Sequence, residues 1–419
     1  MRSFSVGRRG FIGLGGATAA AVLPPSRAAA AATTQLVPVK LPPPITTAER
    51  LARIARARAL MRQNGIGAII VEPGASLDYF TGVQWWRSER LTAAVIPVEG
   101  DPIIVTPFFE RPSVEESLAI PAEFRTWNED EDPLRFVADF LKERGVAAQP
   151  IGFEESDRYF IFDHLSKQLP SLKAVSANPV VRGCRMIKSP AEIALMQAAT
   201  EITVRAMRHA GERAALGMIP RDFSKAIDSA TIAMGGSPEF SLVLIGEGSA
   251  YPHGTRQPQK VQRGSVVLFD CGCTVHGYQS DVSRTFVFGA DPTAEQRKVW
   301  DQVHRGQEIA FAAAKIGVPA GSVDDAVRRA YESWGYGPGY KLPGLSHRTG
   351  HGIGMEGHEP VNLVHGETTL LAHGMCFSDE PGIYLPGKFG VRLEDCFHMT
   401  EAGPKFFSNP PPSIDRPFG

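Results

Sequence analysis

The chain has few cysteines, no excess of positive charge and only a short apolar run near its N-terminus. Its 419 residues carry 44 Lys and Arg against 45 Asp and Glu, for a net charge of −1. A nucleic-acid-binding surface needs a basic excess, so this balance argues against a nucleic-acid partner. The five cysteines are an odd number and give no disulfide framework. The remaining composition, with 43% hydrophobic and 21% charged residues, is ordinary for a globular protein.

Residues 1–32 predict a signal peptide. Arg8 and Arg9 precede the apolar run Phe11–Leu23, which is shorter than the roughly 20 residues that a membrane-spanning helix needs. The two arginines resemble a bacterial twin-arginine export signal, and the small residues that follow the apolar run offer cleavage sites. We therefore expect an exported protein, periplasmic or secreted, with no stable membrane anchor after cleavage. Residues 33–45 predict a Pro-rich linker.

The rest of the chain predicts two domains. Thr46 and Glu49 form a capping box that opens a helix. Helical and strand patterns alternate after it, so residues 46–181 predict a self-contained α/β domain. Residues 182–410 are expected to form a second domain.

The second domain contains an internal repeat. The segment 189–192, Ser-Pro-Ala-Glu, combines an N-cap, a proline at the first helical position and a capping-box glutamate. From there a helix, a glycine and proline break, a second helix, a histidine-bearing segment and a carboxylate-bearing hairpin occur twice, at about 189–289 and 293–400. In the second copy, Ser322 is expected to cap the second helix. Two such units packed face to face would bring their carboxylates together on a pseudo-twofold axis.

Each copy ends in a stretch that predicts a β-hairpin with two carboxylates. In the first stretch, 264–289, Asp270 ends an apolar strand and Asp281 opens the return strand after a glycine-containing turn. In the second stretch, Glu380 precedes a turn rich in glycine and proline, and Glu394 lies on the return strand. The two hairpins therefore have the same layout.

Four carboxylates at the ends of paired strands repel one another unless a cation lies between them. His347, His351 and His358 lie on one nearby segment, so a mixed imidazole and carboxylate site for two divalent ions is available. A single carboxylate in a hairpin is usually a solvated turn residue, and it is the repeated layout that favours a metal. A thiolate site is disfavoured because strand alternation places Cys271 on the face opposite Asp270.

These motifs resemble the creatinase, prolidase and aminopeptidase P family. The resemblance covers nearly all of residues 46–405 and implies an α/β N-terminal domain followed by an α+β catalytic domain of the pita-bread fold with an internal pseudo-twofold repeat. The matching stretches, in family order, are RMIKSPAEI (185–193), PHG (252–254), FDCGCTVHGYQSDVSRTF (269–286), HRTGHGIGMEGHEP (347–360), DEPGIY (379–384) and VRLEDC (391–396).

The resemblance also implies a ligand set for two divalent metal ions. Asp270 and Asp281 match ligands of the first ion, and His351 and Glu380 match ligands of the second. Asp281 and Glu394 match the residues that bridge the pair. Mn²⁺ is the metal expected first, and Co²⁺, Zn²⁺ and Fe²⁺ are alternatives that this ligand set also suits.

Four further residues match positions around the substrate. His253 and His358 match histidines that face the reacting carbonyl, which implies catalytic and substrate-binding roles. Arg392 matches an arginine beside the bridging glutamate, with the same two roles implied, and His347 matches a further substrate-binding histidine. Two alternatives stay open: His347 only holds a ligand or a neighbouring loop in place, and Arg392 is only a countercharge for the bridging glutamate. His276, on the turn of the first hairpin, is expected to be an exposed loop residue.

The implied activity is hydrolysis at a dinuclear centre. Two ions about 3.5 Å apart can bind one hydroxide between them, and Glu380 can act as general base and then as general acid. We expect an Xaa-Pro dipeptidase or Xaa-Pro aminopeptidase that cleaves the amide bond before proline in a small peptide. The alternative is a family member acting on a small non-peptide or N-acyl amino acid substrate, as an amide or amidine hydrolase or a lyase. A non-catalytic binding protein is disfavoured because the ligand set is complete.

An aromatic and charged cluster at 85–90 predicts contact with a partner. Two adjacent tryptophans, Trp85 and Trp86, are seldom left in water. In the enzymes that this chain resembles, the first domain helps to form dimers and lends a loop to the neighbouring active site. We therefore expect a homodimer in which the cluster is a lid. The alternative is that one tryptophan packs in the core of its own domain and the other is simply exposed.

Overall fold

The computed structural model describes residues 36–419, so the predicted signal peptide and the start of the predicted linker lie outside the described residues. Within 36–419, none of the helices combines the length and the apolar character that a membrane crossing requires. The domain boundaries given above remain predictions.

The N-terminal part is a mixed β-sheet with helices around it. Its helices are α1 (Thr47–Asn64), α2 (Ala75–Thr81), α3 (Arg111–Glu115), α4 (Pro133–Glu143), α5 (Tyr159–Gln168) and α6 (Asn178–Arg185). Its strands are β1 (Ala68–Val71), β2 (Ala93–Pro97), β3 (Ile103–Pro107), β4 (Glu123–Trp127), β5 (Pro150–Phe153) and β6 (Lys173–Ser176). The six strands lie in the order β4-β3-β2-β1-β5-β6, with β1 parallel to β5 and antiparallel to β2. The α/β prediction for this part is confirmed.

The catalytic part begins with the first copy of the repeat. Its helices are α7 (Pro190–Gly211) and α8 (Pro220–Met234), followed by the strand β7 (Ser237–Ile245) and a short 3-10 helix (Gly246–Ala250). The strands of the first carboxylate-bearing stretch are β8 (Val266–Val275), β9 (Tyr278–Gln279) and β10 (Val282–Val287), and Asp281 directly precedes β10. Together with β7 they form a four-stranded sheet in the order β10-β8-β7, in which β9 pairs with β8.

The second copy follows the same order. Its helices are α9 (Ala294–Ala313) and α10 (Gly321–Ser333). Its strands are β11 (Gly350–Gly352), β12 (Glu359–Leu363), β13 (Cys376–Asp379), β14 (Gly382–Leu385), β15 (Phe389–Arg392), β16 (Asp395–Thr400) and β17 (Gly403–Phe406). Five of them form a sheet in the order β12-β11-β13-β16-β17, and β14 pairs with β15 separately.

The helix starts follow the predicted capping chemistry at two of the three predicted positions, and a further capping box was not predicted. Capping boxes are present at Thr46 for α1 and at Ser189 for α7. Thr293 forms a third one for α9. The prediction that Ser322 caps α10 is wrong, since the N-cap is Ala320 and the Ser322 hydroxyl donates to the Pro319 carbonyl at 2.7 Å. Carbonyls of the 367–369 loop accept the first N–H groups of this helix, so no side-chain cap is needed there.

The first carboxylate-bearing stretch is a hairpin, as predicted. His276 and Gly277 form its turn with φ values of +48° and +83°, and His276 is exposed as expected. Asp270, however, lies inside β8 and not at its end, opposite Ser283 of β10. Ser283 also forms a β-bridge with Glu394 of the second copy. One residue of the first hairpin thus joins the two copies.

The second carboxylate-bearing stretch differs from the single hairpin that the sequence predicts. β13 pairs with β16, placing Asp379 opposite Asp395, whereas β14 pairs with β15. Pro381 has no N–H to donate to a ladder, so the entry strand stops before it. Glu380 and Glu394 therefore lie at the two breaks between these ladders.

Each copy packs its pair of helices against its own sheet. The core of the first copy includes the buried rings of Phe223 and Phe269. The core of the second includes those of Trp300 and Phe397. The repeated order of helices and strands and these two cores give the mixed α/β fold with an internal repeat that the sequence predicts.

Candidate metal centre

Three carboxylates meet where the two copies join. Asp270 and Asp281 come from the first hairpin and Glu394 from the second, and one oxygen of each lies within 4.8 Å of the others. The backbone of Ser283 exchanges hydrogen bonds with that of Glu394, at 3.2 and 3.1 Å. The Ser283 hydroxyl also donates to Glu394 Oε2 at 2.8 Å. The contact between the copies therefore fixes Glu394 beside the first hairpin.

His351 and Glu380 complete the cluster on its other side. His351, Glu380 and Glu394 form a second group with ligand atoms within 4.8 Å of one another. His351 Nε2 lies 3.4 Å from Glu380 Oε1 and 3.7 Å from Asp281 Oδ2. His351 Nδ1 is 3.0 Å from the Gly352 carbonyl, so it carries the proton and leaves the Nε2 lone pair facing the carboxylates.

The electrostatics of this cluster fit a divalent cation. Asp270 Oδ1, Asp281 Oδ1 and Glu394 Oε1 are buried and have no hydrogen-bond partner among the described residues. Burial and then the charge of Asp270 raise the pKa of Asp281, while burial and then Asp281 raise that of Glu394. Burial also raises the pKa of Glu380 to about 8. Crowded, unpaired carboxylates of this kind need a positive partner, and the residues present can hold one.

His351 has the protonation state that a metal ligand requires. Burial and then the neighbouring His358 lower the pKa of His351 well below its usual value, so its ring is neutral. The His358 ring lies nearly perpendicular to it, with centroids 4.2 Å apart. Asp281, His351 and His358 form a third group within ligand distance. His358, predicted to face the substrate, is thus also close enough to touch a bound ion.

Arg392 lies behind the carboxylates and forms an ion pair with Asp270. Its Nε donates to the Ser283 hydroxyl at 3.0 Å, and Nη1 donates to the Pro252 carbonyl at 3.2 Å and to the Tyr384 hydroxyl at 2.9 Å. Its direct ion pair is with Asp270, while it reaches Glu394 by hydrogen bonds through the Ser283 hydroxyl, and its charge partly offsets the rise in the pKa of Glu394. All of its donor groups are committed to the protein.

Both ring nitrogens of His347 also form hydrogen bonds with other residues of the protein. Its Nδ1 is 2.7 Å from the Arg348 carbonyl and must donate to it, so Nε2 accepts from the Tyr384 hydroxyl at 2.8 Å. Burial and then Arg392 lower the pKa of His347 to about 3, so the ring is neutral. These contacts favour the alternative that His347 holds its neighbours in place.

Tyr384 is a site residue that the sequence analysis missed. It links His347 to Arg392, and burial raises its pKa to about 12. A Cβ on Gly382 or Gly390 would lie 2.5 and 2.6 Å from atoms of its ring and hydroxyl. Its place at the end of the matching stretch DEPGIY (379–384) and the two nearby glycines were the signals for it in the sequence.

All nine predicted site residues line one cavity of about 1030 Å³. His253, exposed after the short 3-10 helix, lies at its wall together with His358. Tyr340 and Arg348, which the sequence analysis did not single out, line it as well. The cysteines at 271, 273, 376 and 396 are buried free thiols, and none belongs to a group within metal-ligand distance in residues 36–419. A thiolate centre is therefore not supported.

Comparison with known proteins assigns both parts of the chain. Residues 194–401 match the model of metallopeptidase family M24, and residues 53–187 match that of the creatinase/prolidase N-terminal domain. The probable dipeptidase PepE of Mycobacterium tuberculosis is 33% identical over 364 residues, covering 86% of this chain and 94% of the relative. The Xaa-Pro dipeptidase of Lactobacillus helveticus is 32% identical over 346 residues, covering 80% and 90%. The crystal structure of dipeptidase PepE from Mycobacterium ulcerans superposes with a TM-score of 0.80 at 33% identity, covering 88% and 98%.

Proposed function

The chain belongs to metallopeptidase family M24, and on that premise we propose that it is an Xaa-Pro peptidase with two divalent metal ions. The observation that carries the two-ion proposal is that Glu394 belongs to two ligand groups, one with Asp270 and Asp281 and one with His351 and Glu380. A carboxylate shared between two groups is the arrangement that a bridging ligand requires. The relatives named Xaa-Pro dipeptidase support the substrate class.

The five ligands suit hard or borderline divalent ions, with Mn²⁺ first and Co²⁺, Zn²⁺ or Fe²⁺ as alternatives. When bound, such a pair of ions polarises a carbonyl and supplies an activated water at neutral pH. Arg392 keeps Asp270 paired. The neutral His351 offers Nε2 as its ligand atom.

The remaining site residues would handle protons and orient the peptide. Glu380 lines the cavity, and a carboxyl at this position can accept a proton from water and return it to the leaving nitrogen. His253 and His358 lie at the cavity wall, where an N–H can stabilise charge that develops on the carbonyl oxygen. His347 and Tyr384 would not touch the peptide but would hold Arg392 and the segment around Arg348 in place.

The proposal is tested with purified protein that is stripped of metal and reconstituted with one ion at a time. We expect hydrolysis of Xaa-Pro dipeptides, strongest with Mn²⁺ or Co²⁺, and none after chelation. The panel includes longer Xaa-Pro peptides and N-acyl amino acids, because the family alternative predicts cleavage of the latter only. Cleavage of N-acyl amino acids without any cleavage of Xaa-Pro peptides would contradict the proposed substrate.

We also propose that the protein is exported and forms a homodimer. The twin-arginine motif at Arg8 and Arg9 supports export. The stacked rings of Trp85 and Trp86, with Trp86 68% exposed, support a contact with a second copy. Cell fractionation of the wild type and of an Arg8→Lys, Arg9→Lys variant tests export, and sedimentation tests the dimer. Retention of the wild type in the cytoplasm, or a monomer at all concentrations, would contradict these proposals.

A further inference from the structure

The segment 185–193, RMIKSPAEI, connects the two parts of the chain, and the proposed function gives it no role. Arg185 ends α6, and Lys188 lies just before Ser189, the N-cap of α7. The side chains of Arg185 and Lys188 are only 9% and 2% exposed. Long cationic side chains are almost never buried unless they are paired. The partners of these two residues therefore indicate what the connection does.

Both cations pair with Glu359, the residue that follows His358. Arg185 Nη2 donates to Glu359 Oε1 at 2.6 Å, and Lys188 Nζ donates to Glu359 Oε2 at 2.9 Å. Burial by itself would raise the pKa of Glu359, but Lys188 and Arg185 outweigh it and lower that pKa to about 2. The Glu359 carboxylate is therefore ionised and is held by the connection between the two parts.

The same carboxylate closes the segment that carries His358. Glu359 Oε1 accepts hydrogen bonds from the amides of Met355 and Glu356, at 2.9 and 3.3 Å. A Cβ on Gly354 would lie 2.8 Å from both Glu359 oxygens, so a side chain at this position would collide with the carboxylate. Residues 354–359 thus form a loop folded around one carboxylate, with His358 next to the residue that holds it.

Arg185 also connects this loop to the N-terminal part. Its Nη1 donates to the Ser76 hydroxyl of α2 at 3.0 Å, and its Nη2 donates to Glu356 Oε2 at 2.7 Å. Ser76 in turn donates to Glu154, which follows β5. The buried guanidinium therefore contacts the N-terminal part on one side and the His358 loop on the other.

The ring of His358 has few contacts of its own. It is exposed at the cavity wall and forms no hydrogen bond or ion pair within residues 36–419. It packs against the ring of His351, nearly at right angles and with centroids 4.2 Å apart. The place of the His358 ring beside the ligand cluster therefore depends on the backbone of its loop, which Glu359 fixes.

We propose that Arg185 and Lys188 are positioning residues, which act through Glu359 to place His358 at the reaction centre. Through these contacts the N-terminal part orients a residue that faces the substrate. A buried ion pair is often no more stabilising than apolar residues of the same volume, so stability alone does not account for three buried charged side chains here. The inference rests on the proposed function, since it takes His358 as the histidine that faces the reacting carbonyl.

The test is a double-mutant cycle between Arg185 and His358, measured on the metal-loaded full chain with an Xaa-Pro dipeptide. We expect Arg185→Met to lower kcat about tenfold and to change KM less than about twofold, because a misplaced His358 no longer stabilises the developing charge. In the His358→Ala background, Arg185→Met should lower kcat by no more than about twofold, since the histidine that it positions is already absent. A role in stability alone predicts the same loss in both backgrounds.

Three further variants complete the cycle. Arg185→Lys keeps the charge but loses the planar fork, and it should recover part of the lost kcat. Lys188→Met leaves the Arg185 ion pairs intact. If Arg185→Met does not fold, Lys188→Met takes its place, with the same criterion of a smaller loss in the His358→Ala background. Arg182→Gln is the control, because Arg182 lies on the same helix but pairs with Glu155, and its kcat should match the wild type.

Hydrogen exchange separates failure of this inference from failure of the proposed function, because it needs no substrate. The amides of Met355 and Glu356 should exchange at least about tenfold faster in Arg185→Met than in the wild type or in Arg182→Gln, with metal content unchanged. If no Xaa-Pro peptide is cleaved, the proposed function fails, and this measurement still decides whether the connection holds the loop.

Four results would overturn the inference. Two concern kcat: no loss in Arg185→Met, or an equal loss with and without His358. The third is exchange of the two loop amides at the wild-type rate in Arg185→Met. The fourth is loss of a metal ion from that variant, which would mean that the connection holds the ligand cluster and not His358.

Discussion

The two copies of the repeat in the catalytic part contribute unequal ligands to the candidate metal centre. The first copy offers Asp270 and Asp281 from one uninterrupted hairpin, and Arg392 pairs with Asp270. The second copy offers His351 and Glu380, and its hairpin is split into two ladders at Pro381. Of the two ion positions that we propose, one would have only oxygen ligands, and the other would have a neutral imidazole and a carboxyl that faces the cavity. Under the proposed function, the first position would chiefly hold its ion and the second would also handle protons.

Glu394 is shared between the two proposed ion positions, and its removal is the change with the largest expected effect. In Glu394→Ala both ions lose a ligand, so we expect metal content near zero and turnover below detection. Elemental analysis together with an Xaa-Pro dipeptidase assay measures this. A variant that keeps one ion would show that Glu394 is a ligand of a single ion. The Ser283–Glu394 hydrogen bonds would then not place this carboxylate between the ligands of the two copies.

Glu380→Gln separates metal binding from proton transfer, the two roles assigned to the second ion position. The amide keeps an oxygen ligand but cannot accept a proton, so turnover should fall by at least about a hundredfold while metal content changes little. Glu295→Gln, an exposed glutamate paired with Lys388, is the matched control and should behave as wild type. Turnover within a few-fold of wild type in Glu380→Gln would mean that the second position does not handle the proton.

His358→Ala tests whether His358 contacts the substrate or binds a metal ion. We expect turnover to fall by about tenfold or more with about two ions retained, because His358 lies at the cavity wall. His276→Ala, an exposed histidine on the first hairpin, should have no effect. Loss of an ion in His358→Ala would instead assign His358 to the metal, in the group with Asp281 and His351.

The stability of the metal-free protein should depend on pH in a direction set by the raised carboxyl pKa values. The Glu380 carboxyl titrates near 4.5 when unperturbed and at about 8 in the folded chain, so the folded state holds a proton that the unfolded state releases. The free energy of unfolding should therefore fall as pH rises from about 4.5 to about 8. Bound Mn²⁺ should remove this trend. Urea unfolding at pH 5 and pH 8, with and without Mn²⁺, measures it, and a metal-free protein that is more stable at pH 8 would contradict the crowding of these carboxylates.

The smallest effect is expected in the N-terminal part, away from both ion positions. Trp85 packs partly against the core of its own part, while Trp86 is exposed. If the cluster is a lid on the neighbouring subunit, Trp86→Ala should raise KM a few-fold without changing metal content or folding. An active monomer in dilute sedimentation runs, with unchanged kinetics for both Trp85→Ala and Trp86→Ala, would leave the cluster without a role at the active site.

The sequence predicts most of what depends on local chemistry. The capping boxes at Thr46 and Ser189 depend on residues three positions apart, and the turn at Gly277 on a residue that tolerates positive φ. The carboxylate-bearing stretches also stand out, because charged residues inside apolar strands need a partner. These features can be read without knowing which strands pair.

Features that depend on distant contacts could not be predicted in the same way. Ser322 has the residue type of an N-cap, but carbonyls of the 367–369 loop already accept the N–H groups at the start of α10, so no side-chain cap is needed. Arg392 of the second copy pairs with Asp270 of the first because the two copies pack against each other. The motif around Arg392 contains no information about this packing.

The metal content of the active wild-type protein tests the central claim most directly. Elemental analysis of protein that hydrolyses an Xaa-Pro dipeptide should give about two divalent ions per chain, with activity lost on chelation and recovered as the second ion is restored. Full activity with no bound metal, or with a single ion at saturation, would contradict a centre built on a shared Glu394.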